Sequence, residues 1–261
     1  MIENFNEERA LLEVKELFAG YNGNDVIFNI NFNVDKGGSL CVLGPNGCGK
    51  STLLKSLARI IGCRGTVSIN GKDIFKLPRR ELAKKLSLLS QSAQVYFPYN
   101  VYETVSMGRY TYSSGFLKNP GAEDISIIID ILKQLDIWNI KDRMIDELSG
   151  GTLQRVYLAR TLAQTPDLIL LDEPANHLDL KHQIELLEFL KKWVRENNKI
   201  LISVFHDLNL ARLFSDTAAV LIDGKIALNG SIDDVLKSCV LNDIYGIDIR
   251  KYMIESLEKW K

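Results

Sequence analysis

Gly44-Pro45-Asn46-Gly47-Cys48-Gly49-Lys50-Ser51-Thr52 follows the apolar run Leu40 to Leu43 and leads into Leu53, Leu54, Leu57 and Ala58 at helical spacing. A strand, a glycine-rich loop and a helix start are the context in which G-x-x-x-x-G-K-[ST] cradles nucleotide phosphates. The glycines let successive backbone N–H groups point inward, and the helix N-terminus adds partial positive charge facing a polyanion. Lys50 is expected to reach the β- and γ-phosphates and Ser51 to ligate Mg²⁺. Asn46, Gly47, Cys48, Gly49, Lys50, Ser51 and Thr52 are therefore the nucleotide-binding candidates of this stretch. Cys48 reads as a small neutral filler rather than a catalyst.

A second anchor lies more than a hundred positions downstream. Leu148-Ser149-Gly150-Gly151-Thr152-Leu153-Gln154-Arg155 again opens a helical pattern, through Val156, Leu158, Ala159, Leu162 and Ala163. Two glycines behind a serine at a helix start form another anion-binding end. Shortly afterwards Leu168-Ile169-Leu170-Leu171-Asp172-Glu173-Pro174 reads as a buried strand ending in two carboxylates. This order of motifs resembles the ATP-binding cassette family, from Tyr21 to about Asp234. The resemblance implies two cassettes facing head to tail, with Ser149, Gly150 and Gly151 of one closing over ATP held by the phosphate loop of the other. It thus implies a homodimer with two shared sites. The family's signature usually ends in Gln where this chain has Thr152, which puts the local hydrogen bonding there in question.

Composition fits a globular enzyme. With 261 residues, 46% apolar and 25% charged, the chain can bury one large core or two modest subdomains. A net charge of −1 leaves no electrostatic footprint for nucleic acid. No apolar stretch approaches the roughly 18–20 residues that cross a bilayer. Met1 to Glu8 is acidic and lacks the apolar core of an export signal, so the cytosol is the expected compartment. Cys41, Cys48, Cys63 and Cys239 lack C-x-x-C spacing, and the histidines are His177, His182 and His206. That pattern favours reduced thiols over disulfides and argues against structural zinc.

Phe28 to Val34 alternates apolar with polar residues, as a strand wet on one face does. Leu40 to Leu43, Leu168 to Leu171 and Ile200 to Val204 are nearly continuous apolar runs, as parallel strands covered on both faces are. Helical patterns separate the last two, which predicts an α/β fold of the P-loop NTPase (RecA-like) kind: a mixed sheet with antiparallel edge strands and an inserted helical subdomain. Asp223-Gly224 is a hairpin turn signal. Strand signals fade between Gln91 and Leu148, where Ile125, Ile128, Ile129, Leu132 and Leu135 keep helical spacing. The expected organisation is a single domain with a nucleotide-binding core at 1–91 and 150–229, a helical subdomain at 92–149 and a C-terminal helical extension at 230–261.

Phosphoryl transfer to water needs charge neutralisation and an oriented nucleophile more than covalent help. Asp172 is expected to hold Mg²⁺, directly or through water, and Glu173 to polarise the attacking water as general base. By the resemblance, Gln91 senses both Mg²⁺ and the γ-phosphate, and His206, after Leu201 to Phe205, is the switch histidine bonded to that phosphate. Tyr21 matches the aromatic that stacks on adenine. Asn176-His177-Leu178-Asp179 falls where the family links the two protomers' sites, and Asp179 is also a plausible N-cap for the helix through Leu186, Leu187 and Leu190.

Val101 to Tyr110, together with His206 to Ala211, resembles the ATPases of importers for ferric siderophores, haem and cobalamin. The expected function is the ATP-hydrolysing subunit of such an uptake transporter. It would work on the cytoplasmic face of the membrane with a transmembrane permease and a substrate-binding protein. A soluble cassette ATPase, such as an iron–sulfur cluster assembly factor, is the alternative. Tyr96, Phe97, Tyr99, Tyr102, Tyr110, Tyr112 and Phe116 hold five of the nine tyrosines. They read either as a groove for the permease or as the small core of the helical insert.

Overall fold

A computed structural model of the chain describes residues 10–90, 99–112, 120–174 and 178–259. The chain opens with an antiparallel hairpin of β1 (Ala10–Tyr21) and β2 (Asn24–Asp35), followed by β3 (Ser39–Leu43) and α1 (Lys50–Leu57). β4 (Cys63–Ile69) and β5 (Lys72–Asp73) complete a four-stranded antiparallel sheet in the order β2-β1-β4-β5. α2 (Arg79–Lys85) and β6 (Leu86–Leu89) come next, then α3 (Val101–Ser106), α4 (Ala122–Gln134), α5 (Gly150–Ala163) and β7 (Leu168–Asp172). α6 (Leu180–Glu196), β8 (Ile200–Val204), α7 (Leu208–Phe214), β9 (Thr217–Ile222) and β10 (Lys225–Ser231) follow. α8 (Ile232–Lys237), α9 (Cys239–Tyr245) and α10 (Ile249–Glu258) end the chain.

The central sheet runs β10-β9-β3-β8-β7-β6, parallel except for β10, which pairs antiparallel with β9. Its continuous apolar runs follow from cover on both faces. Cys41, Leu43, Ile169, Leu171, Leu201, Ala218 and Val220 join α5, α6 and α7 in one buried cluster. Leu40, Val42, Leu168, Leu170, Ile202, Ala219 and Leu221 face the other way, onto α1 and the antiparallel sheet. The expected antiparallel strands thus occupy two places, β10 at the edge of the central sheet and a separate sheet stacked across α1. Separation follows from the half-wet alternation of β2, whose Ile30, Phe32 and Val34 are buried while Asn29 and Asn31 face water. Asn29 (φ 50°) and Glu16 (φ 48°) mark a bulge that shifts this alternation, since Ile27 is also buried.

The Asp223-Gly224 turn has φ of 45° and 75°, the left-handed pair that a two-residue hairpin requires. In the helical insert, Val101, Val105, Ile128, Ile131 and Leu132 enter the same cluster as Val156 and Leu158 of α5, so the insert's buried residues are continuous with the main core. β10 extends to Ser231, so the C-terminal helices begin at Ile232, two residues after the expected boundary. Among the described residues no helix is long and apolar enough to cross a membrane.

Candidate functional site

The phosphate loop leaves β3 in the middle of the central sheet, and three left-handed glycines shape it: Gly44 (φ 140°), Gly47 (φ 80°) and Gly49 (φ 108°). A Cβ on Gly44 would meet the Leu221 carbonyl at 2.2 Å, and one on Gly49 would meet Ile27 at 2.7 Å. The loop is therefore wedged between β9 and the β1–β2 hairpin, and only glycine fits at either position. Asn46 and Gly47 are exposed at its crest. Cys48 turns inward, and burial raises its thiol pKa, so a neutral filler describes it well. Lys50 and Thr52 are buried in the first turn of α1. Lys50 Nζ donates to the carbonyls of Gly44 and Pro45, each at 2.8 Å.

Ser51 lies one residue on, close enough to the carboxylate of Asp172 at the end of β7 to act on its pKa. Burial and the neighbouring Glu173 raise the Asp172 pKa, and the Ser51 hydroxyl, Lys55 and Lys50 pull the other way. A half-buried carboxylate beside a hydroxyl supplies hard oxygen donors, which fit Mg²⁺. Among the described residues no group of three or more His, Cys, Asp or Glu side chains could hold a metal ion.

Strand register assembles the rest. Asp172 of β7 pairs with Val204 of β8, so the chain beyond each strand emerges side by side. Glu173, in the left-handed region at φ 55°, thereby meets His206, whose Nε2 bonds its carboxylate. The Glu173 side chain is 12% exposed and that of His206 is 48% exposed, so the pair opens to one side. Phe205, packed edge-on against Phe214 at 5.3 Å, and Asp207, which accepts from the Asn209 N–H at 2.7 Å, clamp the corner that presents His206.

Tyr21 ends β1 at the tip of the hairpin that borders Gly49, and it is 42% exposed, open for stacking. Ser149 caps α5 by accepting from the Thr152 N–H at 3.3 Å, and the two hydroxyls lie 2.9 Å apart. Thr152 therefore turns back onto the serine at the position where the family's glutamine stands. Gly150 has open space above it, whereas a Cβ on Gly151 would come within 3.0 Å of Leu178. Asp179 is the N-cap of α6, accepting from the His182 N–H at 3.0 Å. Gln91, Tyr96, Phe97, Phe116, Asn176 and His177 lie outside the described residues.

Residues 27–176 match the ABC transporter family. The chain belongs to that family. It is 37% identical to the petrobactin import ATP-binding protein of Bacillus subtilis over 92% of this chain and 94% of that protein. Identity is 35% with the ferric enterobactin transport ATP-binding protein of Escherichia coli, over 92% of this chain and 89% of that one. Among solved structures, cbiO1 from Clostridium perfringens, part of the ABC transporter complex cbiONQ, superposes with a TM-score of 0.78 at 27% identity, covering 95% of this chain and 99% of that chain. The chain is thus an ATP-binding, ATP-hydrolysing subunit of a transporter with a P-loop NTPase α/β fold.

Proposed function

We propose that this subunit powers import of a ferric siderophore, and that the cluster at the ends of β3, β7 and β8 is its hydrolytic centre. The observation that carries the catalytic reading is the convergence of Lys50, Ser51, Asp172, Glu173 and His206 from three separate strands. Lys50 donates to the Gly44 and Pro45 carbonyls. ATP offers β- and γ-phosphate oxygens in their place, and the amides at the start of α1 converge on the same anion. Ser51 and Asp172 would hold Mg²⁺, which when bound neutralises phosphate charge. Glu173 takes the proton of the attacking water as its oxygen bonds to the γ-phosphorus, and ADP departs with the electrons of the broken P–O bond. The γ-phosphate competes with Glu173 for His206, so arrival of ATP frees the base.

Relatives named for petrobactin, iron(3+)-hydroxamate and ferric enterobactin support the cargo class, and they favour import over the soluble assembly-factor alternative. Ser149, Gly150 and Gly151 at the exposed start of α5 act on the partner's nucleotide in a homodimer, and Gln91 relays the γ-phosphate to the helical insert. The division into a core at 1–91 and 150–229 and a helical subdomain at 92–149 belongs to the same reading. A permease holds the dimer at the cytoplasmic face of the membrane, and a substrate-binding protein delivers cargo from the other side.

Glu173→Gln tests both parts. Purified, it should bind ATP as the wild type does, form an ATP-dependent dimer on sizing, and hydrolyse about 10²–10⁴ times more slowly. Cells carrying only this variant should lose uptake of iron-labelled siderophore while cobalamin uptake persists. Wild-type turnover would remove Glu173 from the mechanism, and intact siderophore uptake would assign the cargo elsewhere.

A further inference from the structure

Thr152 stands where the family's signature usually has Gln, and two of its groups engage one atom of its neighbour. Its backbone N–H donates to Ser149 Oγ at 3.3 Å, and its hydroxyl lies 2.9 Å from the same oxygen. Ser149 and Gly150 are exposed while Thr152 is half-buried, so the serine hydroxyl is the outward member of the pair. The Ser149 carbonyl takes the Leu153 N–H at 2.9 Å. That leaves the first two N–H groups of α5, on Gly150 and Gly151, without an acceptor inside the helix. No acidic side chain lies in its first turn, so the helix presents an uncompensated positive end with a hydroxyl at its rim.

A hydroxyl carries one proton and two acceptor lone pairs. The Thr152 N–H occupies one lone pair of Ser149 Oγ, and between the two hydroxyls either oxygen can donate. The direction of that bond decides what Ser149 can offer. If Ser149 gives its proton to Thr152, it has none for an anion. If Thr152 donates, both serine lone pairs are filled and the serine proton is free to point outward. On the reading that Ser149 acts on the partner's nucleotide, on which this inference rests, a γ-phosphate oxygen draws that proton, because a hydrogen bond to a charged acceptor is about twice as strong as a neutral one. We propose that Thr152 is a positioning residue for the shared site: its hydroxyl donates to Ser149 as the partner's γ-phosphate arrives, and it makes the serine a pure donor to that phosphate. The chain then runs from Thr152 O–H to Ser149 O–H to phosphate, each bond polarising the next. ADP has no γ-phosphate, so the chain closes on the triphosphate alone.

The test measures dimerisation driven by Mg-ATP in the full chain, in a Glu173→Gln parent that slows turnover, for Thr152→Val, Thr152→Ala and Thr152→Ser. Valine keeps the shape and removes the hydroxyl, alanine removes hydroxyl and methyl, and serine keeps the hydroxyl. One neutral hydrogen bond changes affinity about 2–10-fold and a dimer has two shared sites, so the valine and alanine variants should dimerise about 4–100-fold more weakly than the parent. The serine variant should match the parent. Kd for Mg-ATP on the dilute monomer, and the melting temperature without nucleotide, should stay unchanged in all three, because the cap from the Thr152 N–H to Ser149 remains. Dimerisation of the valine variant at the parent's strength overturns the inference, and the alanine variant decides the case if valine crowds the helix start and melts early. A serine variant as weak as alanine also overturns it, since the methyl group then acts by packing, and so does a matching rise in the monomer's Kd. A parent that fails to dimerise with ATP rejects the shared-site reading and this inference with it, whereas a dimerising parent beside silent valine and alanine variants rejects Thr152 alone.

Discussion

Cys41 lies fully buried on β3, three residues before the phosphate loop begins, and its thiol has no route to water. Burial pushes its pKa from 9.0 up to about 12, with smaller opposing pulls from the Ser215 hydroxyl and the Phe205 backbone. In the unfolded chain the thiol ionises near its ordinary value, while in the folded chain it stays protonated far longer. The folded pKa is the higher one, so the associated stability is fully present below about pH 9 and is lost as pH rises toward 12. Wild-type protein should lose melting temperature between about pH 8 and pH 10.5 more steeply than Cys41→Ala, although the alanine variant starts lower for want of packing. A melting series across that range checks the slope, and parallel slopes would refute the account. Thiol labelling gives an independent reading. At about pH 8 the Cys41 thiolate fraction is on the order of 10⁻⁴, so exposed Cys239 should be alkylated in the native protein and Cys41 only after unfolding.

At the scale of elements, what could be read from sequence divides along a physical line. The phosphate loop, the Asp172-Glu173 strand end, the Asp179 cap and the Asp223-Gly224 turn were legible because each is local chemistry, written within a few residues. The Glu173–His206 pair was not, because it depends on the neighbouring of β7 and β8 and on the register that sets Asp172 opposite Val204. Neither order nor register leaves a local mark. The docking of the helical insert on α5 is a further case. Arg109, 5% exposed, donates to Asp124 at 2.7 Å and to the Ala163 carbonyl at 3.0 Å. That approach is close only because residue 108 is glycine: a Cβ there would sit 2.3 Å from the Arg160 carbonyl. Gly108→Ala must push the insert off α5 or strain its backbone, at a cost of about 1–3 kcal/mol. Thermal melting should show a loss of several degrees, and an unchanged melting temperature would mean that the contact yields easily.

Over the whole molecule, the aromatic-rich segment resolves into two populations with different duties. Tyr112 is structural: its hydroxyl reaches the Gln164 carbonyl at 3.0 Å and its ring lies 3.8 Å beneath the Arg109 guanidinium. Tyr102 is half-buried against the main core, so serine there would unsettle the fold. Tyr99, Tyr110 and Met107, together with Tyr102, border an open groove of about 350 Å³, with Glu103 and Asp124 among its polar walls. Tyr110 is 62% exposed and Met107 37%, a display of apolar surface suited to a short apolar segment with a polar face. Under the proposed function that segment belongs to the permease, and the groove lies on the insert that follows Gln91, so nucleotide and membrane partner would share one lever. The double substitution Met107→Ser with Tyr110→Ser leaves the buried side chains in place. It should reduce co-purification with the permease and siderophore uptake at least tenfold, while ATP hydrolysis by the isolated subunit and its melting temperature stay near wild type, because exposed side chains carry little folding energy. Full transport by a stable double variant would move the docking surface elsewhere. Early melting would return these residues to the core, against their exposure.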